Sequence, residues 1–150
     1  MAYLGSQAPA GCVFCERLAR TNDRDNLILL RAPRAFLILN AYPYASGHLM
    51  AVVNRHVGGL AEATGEERGE MMSLAAEATR LLAVEYRAEG FNIGLNQGRI
   101  AGAGVEGHLH VHVVPRWSGD NNFMATIGET RVLPESLAAT YDRLKTRLDG

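Results

Sequence analysis

The stretch His108-Leu109-His110-Val111-His112-Val113-Val114 alternates strictly between imidazole and aliphatic side chains until its last two residues. Along a β-strand successive side chains leave opposite faces. Leu109, Val111 and Val113 would therefore enter a core, and the three imidazoles would share the other face. Histidines two residues apart on a strand lie about 6.5–7 Å apart, so two of them can reach one phosphate group or one metal ion. Three readings are open. The first is a solvated strand face that happens to carry histidine. The second is a catalytic metal site on His110 and His112. Zinc usually takes a third protein ligand, often a carboxylate at catalytic sites, and only Glu106 is near in sequence. The third uses a neutral imidazole as nucleophile and leaving group near pH 7, taking up a nucleotidyl or phosphoryl group and passing it on.

Directly before the histidines, residues 98–107 carry glycines at 98, 102, 104 and 107. Such a loop is either a flexible connection or a cradle whose main-chain N–H groups close on an anion, here around Gly104 and Val105. A second pair of reactive residues stands apart, Cys12 and Cys15 in Cys12-Val13-Phe14-Cys15. Buried free thiols, a redox pair, or half of a structural zinc site would each account for it. A redox Cys-x-x-Cys normally opens a helix after a strand in a βαβ unit, and no strand pattern precedes this one.

The elements that must position these residues follow from pattern. Leu27–Arg31 and Ala35–Asn40 read as strands split by the turn Ala32-Pro33-Arg34, with Phe36, Ile38 and Asn40 on one face. His48–Val53 is a third strand, with His48 and Met50 on one face. Thr64-Gly65-Glu66-Glu67 is a capping box opening a long helix with the stripe Met71, Leu74, Ala75, Ala78, Leu81 and Leu82. Gly90 is the expected C′ stop. Phe91–Asn96 is a fourth strand, and His108–Val114 a fifth, ended by Pro115. Pro134 is expected to open a last helix with Leu137, Tyr141, Leu144 and Leu148 on one stripe. The first eleven residues read as loop. Close strand pairs around one long helix imply α+β architecture with a five-stranded, mainly antiparallel sheet in one domain over residues 1–150.

Composition bounds the function. Fifteen basic and 16 acidic residues give a formal charge of −1, which argues against coating a nucleic acid by bulk electrostatics. A small phosphorylated ligand needs only a few local donors. No apolar run approaches the roughly 20 residues of a membrane span. The N-terminus lacks the pattern of a secretory signal. Two cysteines are no disulfide framework, so a cytoplasmic protein with reduced thiols is expected.

The histidine strand matches the histidine triad (HIT) signature, His-φ-His-φ-His-φ-φ with φ apolar, from His108 to Val114. Asn40 resembles that family's ribose-contacting Asn, His48 its upstream histidine, and Asn96-Gln97-Gly98 its phosphate-holding Asn-x-Gly. The run Pro115-Arg116-Trp117-Ser118-Gly119-Asp120-Asn121-Asn122-Phe123-Met124 is similar to a bacterial branch described as diadenosine tetraphosphate phosphorylase-like. The resemblance implies that His110 attacks an α-phosphorus and forms a nucleotidyl-histidine, with His112 as hydrogen-bond donor and His48 and His108 in support. It implies that Asn40 accepts from ribose hydroxyls, with Ile38 and Met50 as candidates to sandwich the base. Where many members carry serine or glutamine in the glycine loop, this chain has Ala103-Gly104-Val105-Glu106, so its phosphate donors would be main-chain N–H groups. The resemblance further implies a structural zinc on Cys12, Cys15, His56 and His108, no catalytic metal, and a homodimer joined through the long helix and fourth strand. Hydrolysis of nucleoside phosphoramidates or other nucleotide conjugates, and a non-catalytic nucleotide-binding role, stand as alternatives.

Overall fold

The computed structural model describes residues 11–120 and 135–150. Strands β1 (Ile28–Arg31), β2 (Ala35–Leu39), β3 (Leu49–Val53), β4 (Gly90–Gly94) and β5 (His110–Arg116) form one sheet in the order β1-β2-β3-β5-β4. Every neighbouring pair is antiparallel. Helices α1 (Val13–Ala19), α2 (Gly65–Tyr86) and α3 (Leu137–Asp149), with a short 3-10 turn at Arg99–Ala101, complete the described elements. The α+β class and the five-stranded antiparallel sheet expected from the sequence are both present. Among the described residues, no helix is long and apolar enough to cross a membrane.

Alternation along the strands sorts the core into two layers. On one face Leu37, Leu39, Leu49, Ala51, Val111 and Val113 pack under α2 and under Tyr141 and Leu144 of α3. On the other, Ile28, Phe36, Ile38, Met50 and Val52 pack against Cys12, Phe14 and Leu18 at α1. Strands β2 and β3 are thus buried on both faces, with every residue inside. The histidine face belongs to the α1 side: the Phe14 ring lies 5.4 Å from that of His108 and 4.9 Å from that of His110.

Helix α2 starts as its sequence dictates. The Thr64 side chain accepts from the Glu67 N–H, and the Glu67 carboxylate accepts from the Thr64 N–H. That carboxylate also receives Nε and Nη2 of Arg55, both at 2.9 Å. The Arg55 guanidinium holds the largely buried carboxyl below its usual range. One charge therefore caps α2 and ties it to the segment after β3.

Several element boundaries differ from expectation. Helix α1 falls in a stretch to which the sequence pattern assigns no element; it is only seven residues long and has no intrinsic reason to form alone. Tertiary burial of Phe14 and Leu18 stabilises it. Helix α2 stops at Arg87, not Gly90: Arg87 takes the left-handed conformation (φ 54°) and its N–H donates to the Leu82 carbonyl. Gly90 is already in the sheet, paired with Arg116. Strand β4 leaves the sheet after Gly94, short of Asn96. Strand β5 starts at His110 rather than His108 and runs through Pro115 to Arg116. Pro115 is tolerated because it pairs with Phe91 of β4 beyond Val113, where the β3 pairing ends. Helix α3 starts at Leu137 behind the N-cap Ser136, and Pro134 lies outside the described residues.

Candidate active site and metal centre

His48 enters the sheet through Gly47, whose positive φ (+87°) turns the chain toward β3. A Cβ there would sit 2.7 Å from Leu82 Cδ2, so only glycine lets the loop lie on α2. His48 is then fully buried, and the ladder sets its neighbours: Met50 faces His112, and Val52 faces His110.

Hydrogen bonds give His110 and His112 opposite tautomers. The Nδ1 of His110 lies 2.8 Å from the main-chain carbonyl of His108. A carbonyl only accepts, so Nδ1 carries the proton and Nε2 keeps its lone pair. The second chain starts at a backbone amide. The Tyr44 N–H donates to His48 Nδ1 at 3.2 Å, which leaves the proton of His48 on Nε2. His48 Nε2 lies 2.9 Å from His112 Nδ1, which must accept. The proton of His112 is therefore on Nε2. Two rings with centroids 5.0 Å apart thus offer one lone pair and one N–H.

Burial keeps these rings neutral. The His48 imidazole is pushed down to about 3, first by burial and then by the neighbouring His112 and His110. Burial lowers His112 as well, helped by His110. It also lowers His110, partly offset by the bond to the His108 carbonyl.

The remaining expected contacts are spread around these rings. Asn40 is half-buried; its Oδ1 accepts from the Tyr42 N–H at 2.8 Å, and its Nδ2 lies 3.8 Å from Met50 Sδ. It also lies 3.4 Å from His48 Nε2, so Asn40, Met50, His48 and His112 are contiguous. Ile38 and Met50 face each other across β2 and β3 within the apolar cluster around Phe14, at 1% and 6% exposure. Asn96 and Gly104 are exposed, two and ten residues beyond Gly94, which pairs with His112. Val105 packs on the edge of the Phe14 cluster. Trp117 ties the end of β5 to α2 through its Nε1–H and the Tyr86 carbonyl. Asn121, Asn122, Phe123 and Met124 lie outside the described residues.

The cysteine pair closes a second constellation. Ligand atoms of Cys12, Cys15, His56 and His108 all lie within 4.8 Å of one another, a set that could hold a metal ion. His56 Nδ1 is 3.3 Å from His108 Nδ1, and Cys15 Sγ is 3.4 Å from each. Cys12 Sγ is 3.4 Å from His108 Nδ1. With Zn–N near 2.0 Å and Zn–S near 2.3 Å, a tetrahedral ion has N···N and N···S edges of about 3.3 and 3.5 Å. The donor set fits. The His108 Nε2–H donates to the Val53 carbonyl at 2.6 Å, which frees Nδ1 for an ion and holds the ring in place. Without a cation, burial and the adjacent Cys12 push the Cys15 thiol up to about 12, so it is no ready thiolate nucleophile.

Two contributors escaped the sequence reading. Tyr44 acts through its main-chain N–H, which no side-chain pattern reports. Phe14 was visible only as an aromatic residue between two candidate ligands.

An α+β chain with a buried histidine strand, an upstream histidine against it and a glycine loop before it has the build of the histidine triad proteins. The chain belongs to the HIT domain family, which matches residues 21–119. It is 42% identical over 129 residues to the AP-4-A phosphorylase of Mycobacterium tuberculosis, covering 86% of this chain. The match spans 66% of that relative, just under two thirds of its length. An uncharacterised 16.1 kDa HIT-like protein of Mycoplasma pneumoniae is 27% identical over 149 residues, 99% of this chain and 100% of the relative. Among solved structures, a Zn-bound histidine triad family protein from Mycobacterium smegmatis superposes with a TM-score of 0.73. At 24% identity it covers 93% of this chain and 96% of that one, and shares its fold.

Proposed function

We propose that this chain is a nucleotidyl hydrolase or transferase that cleaves dinucleoside polyphosphates such as diadenosine tetraphosphate. The observation that carries the reading is the pair of opposite tautomers at His110 and His112. A lone pair beside a donor is what substitution at phosphorus requires. His110 Nε2 attacks the α-phosphorus, a P–N bond forms, and the P–O bond to the bridging oxygen breaks. The polyphosphate leaves as an anion. His112 Nε2–H hydrogen-bonds the α-phosphate or that bridging oxygen and keeps its proton. An acceptor then attacks phosphorus, the P–N bond breaks, and His110 regains its lone pair. Phosphate as acceptor gives ADP beside ATP; water gives AMP beside ATP. The M. tuberculosis relative is described as a phosphorylase, which supports phosphate as acceptor here.

Around the reacting phosphorus, Asn40 would accept from the ribose hydroxyls. Met50 and Ile38 would take the base at the edge of their cluster. Asn96 and the main-chain N–H groups at Gly104 and Val105 would hold the phosphates. Diadenosine tetraphosphate assayed with and without phosphate tests the reading. ADP formed only with phosphate is the expected result. AMP formed equally well without it would make the enzyme a hydrolase, and no cleavage under either condition would overturn the reading.

Cys12, Cys15, His56 and His108 would hold zinc in a structural role, and bound zinc would fix α1 to the segments around β3 and β5. Elemental analysis of protein purified without added metal should find one zinc per chain. Absent zinc with both thiols titratable would remove it. Thiols kept reduced for the metal suit a cytoplasmic setting. A homodimer belongs to the same reading: β4 is an edge strand with Ile93 exposed, and Met72 and Val84 of α2 are exposed apolar residues.

The buried imidazoles set the pH profile. Protonated His110 has no lone pair, and its affinity for that proton lies below the ordinary imidazole value. Activity as kcat/KM should stay level as pH falls from about 8 toward 6.5, and the acid limb should have its midpoint below about 6.5. A midpoint above that value would contradict the burial argument.

A further inference from the structure

The metal centre and the reactive histidine share two connections. The first is through bonds. The carbonyl that accepts the His110 Nδ1–H belongs to His108, itself one of the four candidate ligands. The His108 ring is gripped from both sides, Nδ1 among the ligand atoms and Nε2–H on the Val53 carbonyl. That grip fixes the main chain carrying the acceptor. The second connection is through packing. Phe14 lies between the ligands Cys12 and Cys15 on the first turn of α1. Its buried ring contacts His108 edge-on and lies tilted by 57° on the His110 ring, 4.9 Å away. Phe14 thus walls the imidazole on the α1 side. A helix of seven residues does not hold its place unaided. The loop ahead of the triad meets the same centre, since a Cβ on Gly107 would lie 3.0 Å from His56 Nε2.

We propose that Cys12, Cys15, His56 and Phe14 are positioning residues for His110: the metal centre fixes the His108 carbonyl and the Phe14 ring, and together these hold the imidazole in the tautomer and plane that attack. The assignment of attack to His110 rests on the function proposed above; the coupling between centre and ring does not. Two things change if the centre is lost. The acceptor for Nδ1–H loses its anchor through His108 Nδ1, keeping the Leu109 N–H on the Val57 carbonyl and the His108 Nε2–H on the Val53 carbonyl, and the wall behind the ring relaxes. The ring can then rotate and exchange its proton between nitrogens. The substrate contacts proposed at Asn40 lie away from the centre, beside His48 and Met50, so the effect falls on kcat more than on KM. A misplacement on the order of 1 Å can cost about 100-fold in rate.

The test uses the full chain labelled with 15N-histidine, in which long-range 1H–15N spectra report which nitrogen of each ring bears the proton. In zinc-loaded protein His110 should show a single tautomer, protonated at Nδ1. Stripping zinc with a chelator under reducing conditions, or His56→Gln, should leave the far-UV circular dichroism in place. It should turn His110 into a tautomer average and lower kcat about 100-fold, with KM moving less than about threefold. Phe14→Leu should keep one zinc per chain by mass spectrometry, show the same averaging and lose about tenfold in kcat. Folded, zinc-free protein with a single His110 tautomer and unchanged kcat would overturn the proposal. So would Phe14→Leu with a single tautomer. If the stripped protein and His56→Gln unfold, Phe14→Leu alone decides. The tautomer readout holds whichever residue attacks phosphorus: turnover that survives His110→Ala would end the proposed mechanism and leave this coupling measurable.

Discussion

Replacing His110 with alanine should abolish the proposed turnover of diadenosine tetraphosphate, lowering kcat by at least about 10⁴-fold, while nucleotide affinity should stay within a few-fold. The size follows from what is lost. Without the Nε2 lone pair there is no nucleotidyl intermediate, and water or phosphate must displace the leaving group directly, without a bound nucleophile. Binding survives because the ribose, base and phosphate contacts proposed at Asn40, Met50 and the glycine loop do not involve His110. The substitution also leaves a void against Phe14, since the two rings touch. His110→Gln fills more of that space and should be equally inactive, which separates chemistry from packing. Equilibrium binding of a non-cleavable dinucleotide and acid-quench mass spectrometry provide the measurements. A nucleotide adduct on the wild-type chain and none on the variant is expected. Turnover within tenfold of wild type in either variant would rule out the covalent route.

The second large effect is at His112. The Tyr44–His48 relay leaves the His112 Nε2–H free, and in the proposed mechanism that N–H would be the donor to the reacting phosphorus. A preorganised donor of this kind is worth about 10²–10³-fold in kcat. His112→Ala should therefore lose about that much with KM little changed. His112→Asn keeps an N–H and should recover part of the loss. Substrates with better leaving groups should be less affected if the donor sits on the bridging oxygen, and equally affected if it sits on the α-phosphate. Loss smaller than about tenfold in His112→Ala would deny the ring a donor role.

The order and type of the elements were largely readable because binary pattern and caps carry local physics. The Thr64 capping box and the stripe from Met71 to Leu82 appear in the structure as read. The partition of β5 into Leu109, Val111 and Val113 on one side and histidines on the other also follows from period two alone. What did not show were features decided by distant partners. Helix α1 exists because its apolar face meets the sheet, not because its sequence favours helix. Arg87, a residue with no preference for positive φ, ends α2, while Gly90 lies in the ladder. His108 and His110 look equivalent in the alternation. The structure separates them: one ring faces Cys12, Cys15 and His56, the other Phe14 and His112. Asn96 and Gly104 lie exposed in the loop, where side-chain pattern carries no mark of which N–H meets a phosphate.

The complete burial of β2 and β3 has a cost that falls on the chain before it folds. Ala35–Leu39 and Leu49–Val53 are five-residue runs with no charge, proline or glycine. Rich in aliphatic and aromatic residues, such runs self-associate when exposed. The sequence brackets them with gatekeepers: Arg31, Pro33 and Arg34 precede the first, and Asn54 and Arg55 follow the second. Between them stand Asn40, Pro43 and Gly47, so the two runs cannot merge into one long aggregating segment. Asn40 and Arg55 thus have two duties, one in the folded molecule and one in keeping the nascent chain soluble.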